Sequence, residues 1–405
     1  MDPVTIHDLT TKFLETSQQY QVDYLIGQGA FGKVYKAHRK DNPSKFVAIK
    51  HMNSVREGMG IPQDAYREIK ILKEISRFPH ENIVTLERVF MNPHGAGDSP
   101  GLSLVYDYAE HDLGEIIRHH RKTNTRMEPR MIKSIIWQLL KGVQFLHENW
   151  IMHRDLKPQN ILVTDSGDSP GTVKIADFGL ARIFQDPLRS LVADGDVCTI
   201  WYRAPELLLG ACHYTRAVDI WSIGCVFAEL ILTRAIFTGS EVKKKHAVQA
   251  DQIKKIFRIL GKPDLEKWPD MKHLMFYGEV AGWPADEYQF CLPQVLKIDR
   301  NSSACDLLLH ILEYDPKQRW TAEQALQHRY FTEPPEPHQN VFVRQNGQVS
   351  KYPARMPAQE APGPAGAAPA AGAPVAQQHA NAKRPADPAA AAASSTSQKR
   401  PKFYA

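Results

Sequence analysis

The sequence is short of cysteine, of long apolar runs and of net charge. Its five cysteines (Cys198, Cys212, Cys225, Cys291, Cys305) are odd in number and share no short paired spacing. That argues against a disulfide framework or a zinc site and suits a reducing compartment. The longest apolar stretch, Ile220 to Leu232, is interrupted by Ser222, Gly224 and Glu229. It is too short for the roughly 20 residues of a membrane span, so no membrane association is expected. The opening residues, Met1-Asp2-Pro3-Val4-Thr5, show no basic stretch followed by an apolar run, and no secretory signal is expected. The formal net charge is only +5. Residues 352–405 hold six Lys/Arg against Glu360 and Asp387, so four of the five positive charges sit there. The remaining chain is near neutral, which disfavours a broad nucleic-acid-binding face.

What is present separates into three stretches. With 405 residues the chain exceeds one compact core. Residues 352–405 contain 19 Ala and 9 Pro in 54 positions, too few large apolar side chains for a core, and read as a disordered extension. Before residue 109, short β-rich runs dominate: Tyr24 to Ile26, Lys33 to Ala37, Phe46 to Lys50 and Leu102 to Tyr106. Gly, Asn-Pro and Ser clusters separate them, as in an antiparallel sheet, and one helical run, Ala65 to Ile75, interrupts them. After residue 109 the period turns helical. Met131, Ile132, Ile135, Leu139, Val143 and Leu146 mark a buried stripe, and Ile220 to Leu232 reads as a central helix. A β-rich lobe joined to a larger helical lobe predicts an α+β fold with a ligand cleft between the two.

Several short motifs point at that cleft. Gly27-Gln28-Gly29-Ala30-Phe31-Gly32 is a G-x-G-x-x-G. Strand, not helix, follows it, so it is not a dinucleotide fingerprint. A glycine-rich hairpin can lie over phosphates, while an ordinary turn is the plainer alternative. Lys50 sits in the apolar run Val47-Ala48-Ile49, where an ammonium needs a partner. Glu68, in the helical run, is the candidate. His153-Arg154-Asp155-Leu156-Lys157-Pro158-Gln159-Asn160 follows the long helix, Asp177-Phe178-Gly179 comes 22 residues after Asp155, and Ala204-Pro205-Glu206 closes the series.

In that order and at those distances the motifs resemble those of eukaryotic protein kinases, over roughly residues 20–332. The resemblance implies a bilobal kinase fold: an N-terminal segment 1–20, an N-lobe 21–108, a C-lobe 109–335 and a disordered Ala/Pro-rich basic tail 336–405. It implies ATP and Mg²⁺. Ile26, Gly27, Gly29, Gly32, Val34, Ala48 and Lys50 would line the nucleotide, backbone groups of Asp107 and Ala109 would meet the adenine, and Asp112 could bond the ribose. Phosphoryl transfer spreads negative charge over oxygens, so the site needs cations and metal ligands. Asp177 and Asn160 would hold metal, Asp155 would take or orient the hydroxyl proton, and Lys157 would reach the transferring phosphate. Lys157-Pro158-x-Asn160 and Thr199 resemble the serine/threonine pattern. Trp201-Tyr202-Arg203 resembles the cyclin-dependent and mitogen-activated group, with Arg203 shaping a pocket for proline after the acceptor. Asp219 and the pair Glu206–Arg319 look structural.

Gly60 to Ile69 resembles a cyclin-contacting helix, with departures at Gln63, Asp64 and Tyr66. Tyr106 to Leu113, followed by Ile116 to Arg121, is similar to the Mediator-associated branch that pairs with cyclin C. That implies partners in a cyclin C-type cyclin and the Mediator kinase module. It implies protein substrates such as the RNA polymerase II C-terminal tail and transcription factors, no direct nucleic-acid contact, and a nuclear location. Position 194 is aspartate where the family's activating threonine usually stands. Arg67, Arg154 and Arg182 match the arginines that gather its phosphate, and such close cations need an anion. Asp194, Asp196 or a cyclin carboxylate would supply it; the alternative is a solvated acidic loop. Residues 6–20 suggest a helix on the cyclin, or a frayed terminus. Lys383-Arg384-Pro385 and Lys399-Arg400-Pro401-Lys402 resemble a split nuclear import signal. Two other readings remain open: a largely non-catalytic Mediator scaffold, or another nuclear cyclin-dependent kinase.

Overall fold

The computed structural model describes residues 19–29, 32–52, 63–92, 101–184, 200–242, 247–355 and 357. Two units divide the chain, Met1–Gln359 and Glu360–Ala405, and every described residue lies in the first. The expected N-terminal helix over 6–20 (save its last two residues) and the import signal lie outside the described residues.

Five antiparallel strands build the N-terminal part: β1 (Tyr20–Gly29), β2 (Gly32–Arg39), β3 (Phe46–Met52), β4 (Leu86–Asn92) and β5 (Gly101–Asp107), in the order β1-β2-β3-β5-β4. The period-two alternation sorts their side chains. Ala37, Val47, Ile49, Phe90 and Val105 join Tyr20 in a small core on one face. On the other face Val34 pairs with Lys50, Lys50 with Leu104, and Ala48 with Tyr106. Gly32 has φ +138, and a Cβ there would meet the His51 carbonyl oxygen at 2.0 Å. Only glycine allows β2 to enter that close to β3. Strand β4 has no counterpart in the sequence reading. Helix α1 (Gln63–Ile75) buries Ala65, Glu68, Ile71, Leu72 and Ile75, one stripe at helical spacing.

The C-terminal part is mainly helical. Helix α2 (Leu113–Lys122) starts at Asp112, whose side chain accepts from the Glu115 amide. Helix α3 (Pro129–Glu148) begins with proline and buries the expected stripe from Met131 to Leu146. Short strands follow: β6 (His111–Asp112), β8 (Ile161–Val163) and β9 (Val173–Ile175) form one sheet, and β7 (Ile151–Met152) pairs with β10 (Arg182–Ile183). Helices α4 (Pro205–Leu208) and α5 (Ala217–Leu232) come next. Helix α5 is buried nearly all round, with Trp221 fully enclosed. Cys212, Cys225, Cys291 and Cys305 are free.

One boundary needs correction. The disordered tail was expected from residue 336, yet residues 336–355 pack on the helical part. Val341 and Phe342 are each 1% exposed. Val343 bridges Val349 across a turn with Gly347 at φ 81. The Tyr352 ring meets those of His111, His119, His120 and Phe342. Apolar anchors, not the average composition, decide this segment.

Candidate active site

Lys50 on β3 reaches between two carboxylates. Its Nζ lies 2.9 Å from Glu68 Oε2 and 3.0 Å from Asp177 Oδ1. Glu68 is almost wholly buried on α1, and its Oε1 accepts from the Tyr106 hydroxyl at 2.7 Å. Burial alone would lower the Lys50 pKa, but the Glu68 and Asp177 charges outweigh it and raise it above the ordinary lysine value. Burial would likewise raise Asp177, and the Lys50 ammonium instead holds it low. Tyr106 was missed as a site residue. It stands opposite Ala48 on β5, so strand register alone could have placed it on the cleft face.

The segment 153–160 is fixed from below. Asp219 on α5 is fully buried. Its Oδ2 accepts from the His153 amide (2.9 Å) and His147 Nε2 (2.9 Å), and its Oδ1 from the Arg154 amide (2.7 Å). Burial would raise its pKa, but the His147 hydrogen bond and charge keep it low. This support holds Arg154 at φ 71. Asp155 follows, 4% exposed, with Lys157 Nζ at 2.7 Å from its Oδ2 and Asn160 Nδ2 at 2.9 Å from the same atom. Asn160 Nδ2 also donates to the Asp155 carbonyl. Asp177, at φ 65, ends the strand side of the site. Arg319 and Glu206 pair through both guanidinium Nη groups, at 2.8 and 3.0 Å, with both side chains buried.

A paired lysine, a carboxylate across from it and a buried aspartate beside a lysine and an asparagine make a constellation for handling phosphate charge. The comparisons with known proteins agree. The protein kinase domain family matches residues 20–331. A probable cyclin-dependent kinase 8 of Dictyostelium discoideum is 49% identical over 350 residues, covering 86% of this chain and 89% of that one. Cyclin-dependent kinase E-1 of Arabidopsis thaliana is 48% identical over 338 residues, 82% of this chain and 70% of that one. The serine/threonine-protein kinase srb10 of Schizosaccharomyces pombe is 41% identical over 329 residues, 77% and 86%.

The chain belongs to the protein kinase family. It is a serine/threonine protein kinase of the cyclin-dependent type. The kinase domain implies ATP and a divalent metal. The donor set fits a hard cation: with Asn160 Nδ2 turned to Asp155, its Oδ1 is left to accept, and Asp177 adds a carboxylate. Among the described residues no three His, Cys, Asp or Glu could hold an ion by themselves. Phosphate and water oxygens would complete such a shell.

Of the two residues expected at the adenine, Asp107 has its carboxylate on the Thr85 amide and Lys174, while Ala109 is buried and its N–H makes no hydrogen bond among the described residues. Ile26, Val34 and Ala48 are half-buried. The two glycines Gly27 and Gly29 lie on β1, where Gly29 pairs with Gly32. Asp112 is engaged more fully than expected. Its Oδ1 caps α2, and its Oδ2 takes Arg355 Nη2 at 2.7 Å, while Arg355 Nε bonds Glu115 at 3.1 Å. Burial raises the Asp112 pKa, and the Arg355 charge opposes that. By composition Arg355 counts only as tail charge.

In the activation segment, Asp194, Asp196 and Thr199 lie outside the described residues. Arg67 Nη1 donates to the Gly179 carbonyl (2.9 Å), Arg182 Nη1 to the Ala181 carbonyl (3.0 Å), and the Arg154 guanidinium stacks over Tyr214. Arg203 follows the single turn Ile200–Tyr202, whose Trp201 indole donates to the Gly239 carbonyl.

Proposed function

We propose that this kinase acts within the Mediator kinase module with a cyclin C-type cyclin, in the nucleus. Its reaction moves the γ-phosphoryl of ATP to Ser/Thr-Pro sites, including those of the RNA polymerase II C-terminal tail and of transcription factors. The Lys50 ammonium between Glu68 and Asp177 carries the reading, because it aims one fixed positive charge at the nucleotide phosphates. Asp155 orients the acceptor hydroxyl and takes its proton. The hydroxyl oxygen then bonds to the γ-phosphorus as the bridging oxygen leaves with ADP. Lys157, held beside Asp155, faces the charge that develops on the transferring group. Asn160 and Asp177 would hold Mg²⁺, which neutralises phosphate charge when bound. Asp112 and Arg355 together border the ribose position. Arg203 shapes the proline pocket, and Asp194, Asp196 or a cyclin carboxylate balances Arg67, Arg154 and Arg182.

Helix α1 is the proposed cyclin face. Tyr66 projects from it with 60% of its surface exposed and offers a large ring to a partner. The test is a binding and activity assay with the purified full chain. The account expects tight binding of a cyclin C-type cyclin and transfer to a Ser-Pro peptide at least about tenfold better than to its Ser-Ala counterpart. Tyr66→Asp should weaken cyclin binding by about tenfold or more. Equal use of both peptides contradicts the substrate assignment, and unchanged cyclin affinity in Tyr66→Asp contradicts the proposed face.

A further inference from the structure

Helix α2 ends in a cluster of basic side chains that the reaction does not use. Its last turn carries His119, His120, Arg121 and Lys122, and Arg126 follows in the loop. Residues 344–352 cross the same end of the helix. Between the two segments lies a cavity of about 650 Å³, lined among others by His119, His120, Arg126, Arg344, Ser350 and Lys351. Glu128 is the single acid on its wall, and that carboxylate already accepts from the Gln345 amide at 3.0 Å. Leaving the imidazoles out of the count, three cations against one carboxylate put the wall at +2. Arg126 and Lys351 have no ion pair among the described residues. Arg344 gives only its Nε to Ser350 Oγ (2.8 Å), leaving both Nη groups to act as a fork. Burial, more than any neighbouring charge, lowers the His120 pKa.

A phosphate monoester carries about −1.5 to −2 at neutral pH and takes arginine forks through two oxygens. It matches this wall in sign and in size of charge. The volume exceeds a bare phosphate and accommodates a phosphorylated side chain with its neighbours. A nucleic acid would call for cations continuing along a groove with rings free to stack, whereas here Arg126, Arg344 and Lys351 line one concavity and its rings, Tyr352, His119 and His120, pack on one another. We propose that the cavity docks a serine or threonine phosphate already present on the substrate chain, so that one phosphorylated site favours phosphorylation of the next. This rests on the kinase reading above, which supplies such phosphates. The ten residues of α2 separate the cavity from Asp112, at the ribose position, by about 15 Å, and a linker of about ten extended residues, about 33 Å, leaves about 18 Å for the further step to the acceptor at Asp155.

The test has a binding arm and a turnover arm, both on the full chain bound to its cyclin. In the first, a labelled phosphoserine peptide lacking an acceptor site is titrated by fluorescence polarisation. In the second, KM is compared for a Ser-Pro peptide with and without a phosphoserine about ten residues away. The phosphopeptide should bind, more weakly as salt rises, and R126E/K351E should weaken it about tenfold or more, with Arg344→Ala intermediate. Both altered residues are exposed. The primed peptide should have the lower KM, and R126E/K351E should erase that advantage while leaving the unprimed peptide unchanged. Equal binding of phosphorylated and plain peptides overturns the proposal. So does a variant that keeps the preference, or an RNA oligonucleotide that displaces the phosphopeptide more effectively than unlabelled phosphopeptide does. If no peptide is phosphorylated at all but the binding arm behaves as stated, the kinase reading fails and the docking site stands.

Discussion

At the scale of single residues, charges are set by competition between burial and a neighbour of opposite sign. Lys50 keeps its proton because two carboxylates outweigh its desolvation. Lys50→Met should therefore reduce kcat/KM by about 10²–10³-fold, the cost of removing one preorganised charge from a phosphate site, with a smaller loss for Glu68→Gln. Steady-state kinetics at varied ATP checks this. Asp219 gives a stability test. Its pKa is held low by His147, so its charged form favours the fold. That contribution is fully present above the ordinary aspartate pKa of about 4 and is lost as pH falls through the lower folded value. Asp219→Asn also leaves a backbone N–H facing a donor. It should cost about 3 kcal/mol at pH 7 and progressively less below pH ~4, measured by urea unfolding at each pH. An equal deficit across that range would show that the carboxylate's charge is not what matters.

At the scale of elements, the segment after residue 335 is the informative case. Arg355 closes a partly buried pair with Asp112 and Glu115 at the head of α2. Arg355→Ala should cost about 2 kcal/mol by chemical unfolding, because Asp112 would keep its burial and lose its counter-charge. The convergence of residues 155–160 was legible in the sequence because the residue types stand in a fixed order: Asp155, Lys157 and Asn160 meet within 3 Å. Helices α1, α3 and α5 were legible from apolar spacing. Residues 336–355 were not, because Ala and Pro downstream dominated the composition. Asn346-Gly347 between Val343 and Val349 was nevertheless a hairpin signal. Strand β4 was missed because Glu87 and Arg88 break its apolar pattern. The partnership of Arg355 with α2 is contact across more than 230 residues, which no local pattern encodes.

At the scale of the molecule, the kinase unit extends beyond residue 331, where the family match ends. Val341, Phe342 and Tyr352 complete the core beside α2 and α3. A chain ending at residue 335 should unfold at least about 3 kcal/mol more readily than one ending at 359, since burial of Phe342 alone accounts for that much. Leu104 of the sheet, Leu156 of the 153–160 segment and Val341 and Phe342 of the carboxy-terminal segment thus share one core, and what that body does is the central question. Its most direct measurement is transfer of labelled γ-phosphate from ATP to a Ser-Pro peptide by the cyclin-bound full chain, beside the same complex carrying Asp155→Asn. The account predicts phosphate on the serine with the native chain and a loss of at least about 10²-fold in the variant. A native complex that transfers nothing, or a variant that transfers as well as the native chain, would contradict it.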